Sequence, residues 1–186
     1  MKINIKNMVC DRCISAVNTL FKDLKIPISA LELGEAETVN LLSQSELTIL
    51  NDQLKKQGFE LLEDAVKTQI EQIKKIIIIE INKLDIDEDF ILSKFISTHF
   101  GKDYSLLSKT FSMNENVTLE QYFILQKIEK AKELLLYNEF TLTEISQKLG
   151  YKSVQHLSAQ FKSCTGFNPT SFKKLKSKNR IALDQI

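Results

Sequence analysis

Polar and apolar residues alternate over "KINIKN", Lys2 to Asn7, a period of two that predicts a strand. The period then lengthens: Ile14, Val17, Leu20, Phe21 and Leu24 recur at helical spacing, and Pro27 ends the run. "ISALELGEAETVNLL" reads as two short strands about Gly34 and Glu35. Ser43 and Glu46 stand at capping-box spacing ahead of a helix that carries Leu47, Leu50 and Leu54 on one face. Gly58 closes it, and "FELLE" reads as a fourth strand. The predicted order is β-α-β-β-α-β.

From Asp64 to Leu84 the pattern is helical throughout. Val66, Ile70, Ile73, Ile77, Ile81 and Leu84 are spaced four, three, four, four and three apart, a heptad-like seam. Two readings stand: a connecting helix packed on its own domain, or a homodimer through the 66–84 helix. "DIDED", Asp85 to Asp89, is a polar break and the expected domain boundary. Beyond it every segment reads as helix. Gly101 ends "FILSKFISTHFG", Asp103 caps "YSLLSKTFS", and Thr118 with Gln121 opens a long helix to about Tyr137. Thr141 with Glu144, then Ser153, cap two more, and "NPTSFKKL" begins the last. The expected class is α+β. Residues 1–64 form a ferredoxin-like βαββαβ domain, 65–84 a connecting helix, and 85–186 an all-α domain with two helix-turn-helix units joined by a long helix.

Composition adds little until it is divided along the chain. The 186 residues are 43% hydrophobic and 26% charged, ordinary for a folded domain, with a formal net charge of +1. That near-neutrality hides a polarity, since residues 1–64 sum to −3 and the remainder to +4. The last 39 residues hold eight basic groups (Lys148, Lys152, Lys162, Lys173, Lys174, Lys176, Lys178 and Arg180) against Asp184 alone. Such a concentration is the footprint of a polyanion partner or a solvated tail. The chain start lacks an apolar stretch behind a basic one, and the longest apolar run, Ile76 to Ile79, is far too short to span a bilayer. With three cysteines, an odd count, the expectation is a reduced, cytoplasmic protein with no membrane partner.

The two helix pairs share a plan. "FISTHFGKDYSLLSKTF" and "EISQKLGYKSVQHLSAQF" each place a Gly at the turn, a polar cap after it, then Leu and Phe four apart: Leu107 and Phe111, Leu157 and Phe161. A tight Gly turn between short helices is the helix-turn-helix signature, in which the second helix enters the major groove of double-stranded DNA. The long helix between the units is roughly 30 Å at about 1.5 Å per residue, close to the roughly 34 Å that separates major-groove faces. The stretch with "KAKELL", "TLTEISQKLGY", the Ser153–Leu157–Phe161–Lys162 pattern and the closing "TGFNP" resembles the AraC/XylS-type transcription regulators over about residues 88–175. Two positions depart from that family: Asn116 stands where Gly is usual, and Lys127 where Arg is usual. The resemblance implies base contacts from Ser105, Leu106, Ser108 and Lys109 in the first unit and from Val154, Gln155, His156 and Ala159 in the second. Gln can pair with adenine, Lys with guanine, and Val can meet a thymine methyl. Lys152, Ser153, Lys162, Lys173 and Lys174 are the phosphate candidates, setting affinity rather than sequence. His99 reads as a helix-face residue without a special role, and Cys164 as a small packed one.

Cys10 and Cys13 lie three apart at the first strand-to-helix junction, where the helix N-terminus favours thiolate. Two sulfurs suit Cu(I), whereas structural Zn(II) wants four ligands. No second Cys or His pair follows in residues 14–64, so Zn(II) would have to be shared across a dimer. "NMVCDRC" with the split order and "KKQGF" resembles heavy-metal-associated domains of the copper-chaperone type over residues 1–64. Met8, Cys10 and Cys13 match that motif, and Asn7 replaces its Gly. Metal binding, a reversible disulfide, and a pair retained without either role all remain open. The expected function is a sequence-specific transcription regulator, not an enzyme, responsive to a soft metal through Cys10 and Cys13. The competing readings are a thiol redox-responsive regulator, a CxxC oxidoreductase and a non-regulatory metal-binding protein.

Overall fold

The structure, a computed structural model, describes residues 1–62 and 64–174. It divides into two compact units, 1–76 and 77–186. In the first, β1 (Lys2–Lys6), α1 (Asp11–Asp23), β2 (Ile28–Glu32), β3 (Glu35–Thr38), α2 (Gln44–Lys56) and β4 (Glu60–Leu62) follow the order expected from the pattern. The strands form one sheet in the order β2-β3-β1-β4, antiparallel throughout. Ile3 lies opposite Ala36 and Ile5 opposite Leu61. The period of two in β1 turns Ile3 and Ile5 into a core completed by Val17, Leu20 and Phe21 of α1 and Leu50 and Leu54 of α2. Asn4, on the other side of the pleat, shares a small recess with Glu35, Leu62, Thr68, Glu71 and Lys75. The Ser43–Glu46 capping box is formed.

A helix, α3 (Ala65–Asn82), runs across the division between the units. Residues 65–76 therefore group with the sheet and 77–84 with the helices, rather than forming a separate connecting body. Ile70, Ile73, Ile77 and Ile81 are already buried in the single chain, at 3% exposure or less, and Val66 alone of the leading seam positions is open, at 43%. This burial fits the first of the two readings, a helix packed on its own chain. Leu84 takes a left-handed φ of 56°, beyond the helix end.

In the second unit α4 (Leu92–Phe100), α5 (Tyr104–Asn114), α6 (Leu119–Tyr137), α7 (Leu142–Lys148), α8 (Val154–Thr165) and α9 (Pro169–Lys174) are all present. The long α6 touches α5, α7, α8 and α9, and α4 pairs with α5 as α7 pairs with α8. The capping boxes Thr118–Gln121 and Thr141–Glu144 are closed, and Asp103 and Ser153 cap their helices. "DIDED" is more than a polar break. Ile86 is buried, its N–H donates to the Lys148 carbonyl at 3.1 Å, and it bridges to Leu149. The segment 85–89 thus docks on the α7–α8 turn, where Gly150 (φ 65°) leaves room for it: a Cβ there would stand 2.6 Å from Ile86 Cγ2 and 2.8 Å from the Asp87 carbonyl.

Candidate nucleic-acid interface and thiol pair

The turn between α7 and α8 is held by its own main chain. Gly150 and Tyr151 donate to the Gln147 and Ser146 carbonyls at 3.0 and 2.9 Å. Ser153 then accepts the His156 N–H at 3.1 Å and starts α8. Leu157 and Phe161 are fully buried, and Phe161 meets Phe172 of α9 edge-on with ring centroids 5.4 Å apart. Burying one stripe of an α-helix sends the opposite stripe to solvent. Gln155, His156, Ala159 and Lys162 are exposed there, and Val154 is half-buried.

The first unit repeats the construction. Gly101 ends α4 in the left-handed region (φ 60°), Leu107 and Phe111 are buried, and Phe111 packs on Tyr122 of α6. Ser105, Leu106 and Lys109 are exposed, and Ser108 is half-buried. All eight residues expected to face bases therefore lie on two solvent-facing helix surfaces. Two qualifications come from geometry. The Ser105 hydroxyl donates to Asp103 Oδ1 at 2.5 Å, so it is already engaged. Asp103 itself is exposed, and its bonds with the Ser105 hydroxyl and N–H hold its carboxyl below the usual range. Glu120 receives the Tyr104 hydroxyl at 2.5 Å and is likewise held low. The front of α5 is thus flanked by fixed negative charge that the pattern reading did not weigh.

Among the phosphate candidates, Lys152, Lys162, Lys173 and Lys174 are exposed. Lys152 has a weak 3.9 Å pairing with Asp89 in full solvent, and Ser153 keeps its hydroxyl proton while its oxygen serves as the cap. Lys176, Lys178 and Arg180 of the basic tail lie outside the described residues. Cys164 is exposed rather than packed, and His99 sits among Phe95 and Phe100.

Sequence reasoning missed the group beneath α8. Lys127, counted only as a stand-in for Arg, is buried on α6 with its Nζ 3.8 Å from the Tyr151 ring centroid and 5.3 Å from that of Phe123. Burial lowers its ammonium pKa to about 8. A Lys among apolar helix positions followed by a turn Tyr was the available signal. Nearby, Lys132 and Glu129 form a buried ion pair.

In the other unit the thiols converge. Cys10 Sγ and Cys13 Sγ are 3.4 Å apart, both half-buried, with Cys13 Sγ 3.9 Å from the Asn7 carbonyl. Cys10 occupies the N-cap of α1. The expectation that the helix end favours thiolate is corrected for Cys13: its pKa is raised, chiefly by burial. Desolvation disfavours the charged thiolate and outweighs the backbone hydrogen bonds that favour it. Asn7 can replace a Gly because its φ is 68°, a left-handed conformation that Asn tolerates well. Its side chain donates to the Gly58 carbonyl at 2.8 Å, and its N–H donates to Glu71 Oε2 on α3 at 3.3 Å. Met8 is 4% exposed and belongs to the core, so it is not a third sulfur ligand. Among the described residues no group of three or more His, Cys, Asp or Glu could hold a metal ion. The residues present fit a two-coordinate soft cation and do not complete a zinc site.

Residues 96–175 match the family model of a helix-turn-helix domain. The xylose operon regulatory protein of Escherichia coli K12 is 31% identical over 77 residues, covering 41% of this chain and 20% of that protein. An uncharacterized HTH-type transcriptional regulator, YfiF of Bacillus subtilis, is 28% identical over 91 residues, covering 49% and 29%. The chain thus spans less than a third of the length of these two relatives. In fold, the structure is similar to the C-terminal domain of AraT, a response regulator from Geobacillus stearothermophilus. Its TM-score is 0.52 at 19% identity, covering 63% of this chain and 91% of that one. Residues 96–175, within the helical unit, thus carry a helix-turn-helix domain. No helix among the described residues is long and apolar enough to cross a membrane.

Proposed function

We propose that the chain is a sequence-specific transcription regulator that binds double-stranded DNA through α5 and α8. The observation that carries this is the paired burial of Leu107 with Phe111 and Leu157 with Phe161, which leaves both candidate reading faces in solvent on two helices that each pack on α6. At 19 residues α6 is roughly 28 Å long, a fit to successive major-groove faces. On this reading Gln155, His156, Val154 and Ala159 lead base recognition, and Lys109 with Leu106 supplements it. Lys152, Ser153, Lys162, Lys173 and Lys174 hold phosphate. The sheet unit, ferredoxin-like in strand order, is the input domain. Cys10 and Cys13 would hold a single Cu(I) between two thiolates, a soft cation on soft ligands. The Asn7–Glu71 bond ties that loop to α3.

The 3.4 Å sulfur separation favours one second reading, a reversible disulfide. A small rotation closes the bond, releasing two protons and passing two electrons to an oxidant such as peroxide or another disulfide. In either form no catalysis is involved, and the coupling between thiols and DNA must be reciprocal.

DNA affinity of the full chain and of the C10S/C13S variant, measured by anisotropy with and without Cu(I) or peroxide, tests the reading. Wild-type affinity should change about tenfold or more with one of them, which needs about 1.4 kcal/mol of differential binding, and the variant should not respond. Binding should weaken steeply with salt. Replacing Lys173 and Lys174 should weaken all duplexes alike, whereas Gln155→Ala should cost about 1–3 kcal/mol on the preferred duplex only. Identical behaviour of the two would overturn the division of roles, and salt-independent binding would overturn the DNA-reading role.

A further inference from the structure

Tyr151 is 4% exposed, yet it reaches two side chains of α8 one turn apart. Its ring meets the His156 imidazole edge-on, with centroids 5.3 Å apart and planes at 84°. Its hydroxyl donates to Gln160 Oε1 at 2.6 Å. The Tyr151 ring also carries the Lys127 ammonium, 3.8 Å from its centroid, and the Tyr151 N–H is fixed to the Ser146 carbonyl. His156 is exposed, and its own N–H is committed to Ser153. A surface imidazole ordinarily samples several rotamers. This one has a rigid aromatic wall on one side, and that wall is held in turn from α6 and α7.

We propose that Tyr151, backed by Lys127, is a positioning residue that sets base preference without touching DNA: its ring holds His156 in its reading rotamer. The inference rests on the reading of α8 as the base-contacting helix. Its physical content is entropic. A side chain ordered before binding does not lose that freedom on the duplex, and the cost avoided corresponds to roughly three- to tenfold in affinity. The effect is confined to the base pair that His156 reads, because phosphate contacts do not depend on that rotamer.

The test uses the full chain. A randomised duplex pool is selected with the wild-type protein, and affinities are then measured for the selected duplex and its single-base-pair variants. His156→Ala should abolish preference at one base pair. Tyr151→Leu should reduce preference at that same pair by roughly three- to tenfold, leave non-preferred duplexes unaffected, and add nothing to His156→Ala in the double variant. Tyr151→Phe keeps the ring and should keep that preference. A uniform loss on all duplexes, or additive losses in the double variant, overturns the proposal. If His156→Ala changes no preference, the base-reading assignment fails, and this proposal fails with it. The free protein gives an independent readout should Tyr151→Leu fail to fold. The chain has two histidines, so the imidazole protons of His156 are assigned by their loss in His156→Ala. They should be displaced by the aromatic ring current in wild type and in Tyr151→Phe. Random-coil positions for them overturn the edge-on contact.

Discussion

Two glycines with almost the same backbone allow the docking of Ile86 to be weighed. Gly101 and Gly150 have φ of 60° and 65° and close corresponding turns, but a Cβ on Gly101 would meet nothing within 4 Å. Gly101→Ala therefore costs only the left-handed conformation, about 1 kcal/mol, partly offset by the lower freedom of Ala in the unfolded chain. Gly150→Ala carries the same cost and a collision besides. Its Cβ would lie 2.6 Å from Ile86 Cγ2 and 2.8 Å from the Asp87 carbonyl. Main-chain atoms cannot swing aside, so the 86–87 segment must lift. Lifting it strains the Ile86–Lys148 hydrogen bond, about 1 kcal/mol, and uncovers a side chain now 4% exposed, about 1.5–3 kcal/mol.

Gly150→Ala should thus be about 2–4 kcal/mol more destabilising than Gly101→Ala. Urea unfolding followed by circular dichroism at the helical band measures the difference. Ile86→Ala removes the nearest atom and costs about 2–4 kcal/mol alone. Combined with Gly150→Ala it should cost less than the two singles together, because the new methyl occupies vacated space. If Gly150→Ala and Gly101→Ala lie within about 0.5 kcal/mol of each other, residues 85–89 do not dock on the turn as described.

Three other perturbations bear on separate features. Glu at Ile73 or Ile77 should unfold the chain rather than yield a soluble monomer, since both are buried within it; a folded monomer by light scattering, from a wild type that is dimeric, would restore the seam to a dimer interface. Lys127, depressed to about 8 from 10.5, is protonated in the unfolded chain at pH values where the folded one has released its proton, so its contribution to stability rises with pH between about 8 and 10.5. That gap is worth about 3 kcal/mol at most, less about 1–2 kcal/mol for the cation held on the Tyr151 ring; the stability advantage of Lys127→Met should shrink by about 1–3 kcal/mol across that window, and a constant difference would contradict the burial. Asp103→Ser keeps a capping oxygen and removes an exposed charge beside α5, so DNA affinity should rise about two- to fivefold at low salt, less at high salt; unchanged affinity at low salt would mean that α5 does not approach phosphate.

Elements whose apolar stripe and stop signals agree were legible from the pattern alone. The alternation in β1, the Leu107–Phe111 and Leu157–Phe161 pairs, and the caps at Ser43, Asp103, Thr118, Thr141 and Ser153 all lie where the residues put them. What failed was partnership over distance. A heptad-like seam states that one helix face is apolar, not whether the cover comes from the same chain, and Ile70 to Ile81 proved covered. "DIDED" looks solvated because four of its five residues are acidic, yet the one Ile inside it docks on a turn more than sixty residues away. The expected thiolate at Cys13 did not allow for burial, which raises that thiol's pKa and which only the packed structure reveals.

The same limit explains why the two reading helices, alike in pattern, are unlike in charge. A cap is chosen for its oxygen, and Asp and Ser serve a helix about equally well. Where the helix end faces a phosphate backbone they are not equivalent. Ser153 satisfies the His156 N–H with a neutral group and can still donate its own proton outward, with Lys152 before it and Lys162 two turns on. Asp103 satisfies Ser105 with a carboxylate that stays ionised, and Glu120 stands close by on α6, held ionised by Tyr104. An anion at a helix N-terminus stabilises the free protein and competes with the phosphate that would otherwise sit there. On the proposed DNA-reading role, the first unit gains stability from the same residue that would weaken its hold on DNA. The second leaves its helix end open to phosphate and draws its rigidity from beneath, from Tyr151 and Lys127. If the proposed DNA-reading role holds, this electrostatic difference assigns the lead in binding and base choice to α8, with α5 adding affinity once α8 is seated.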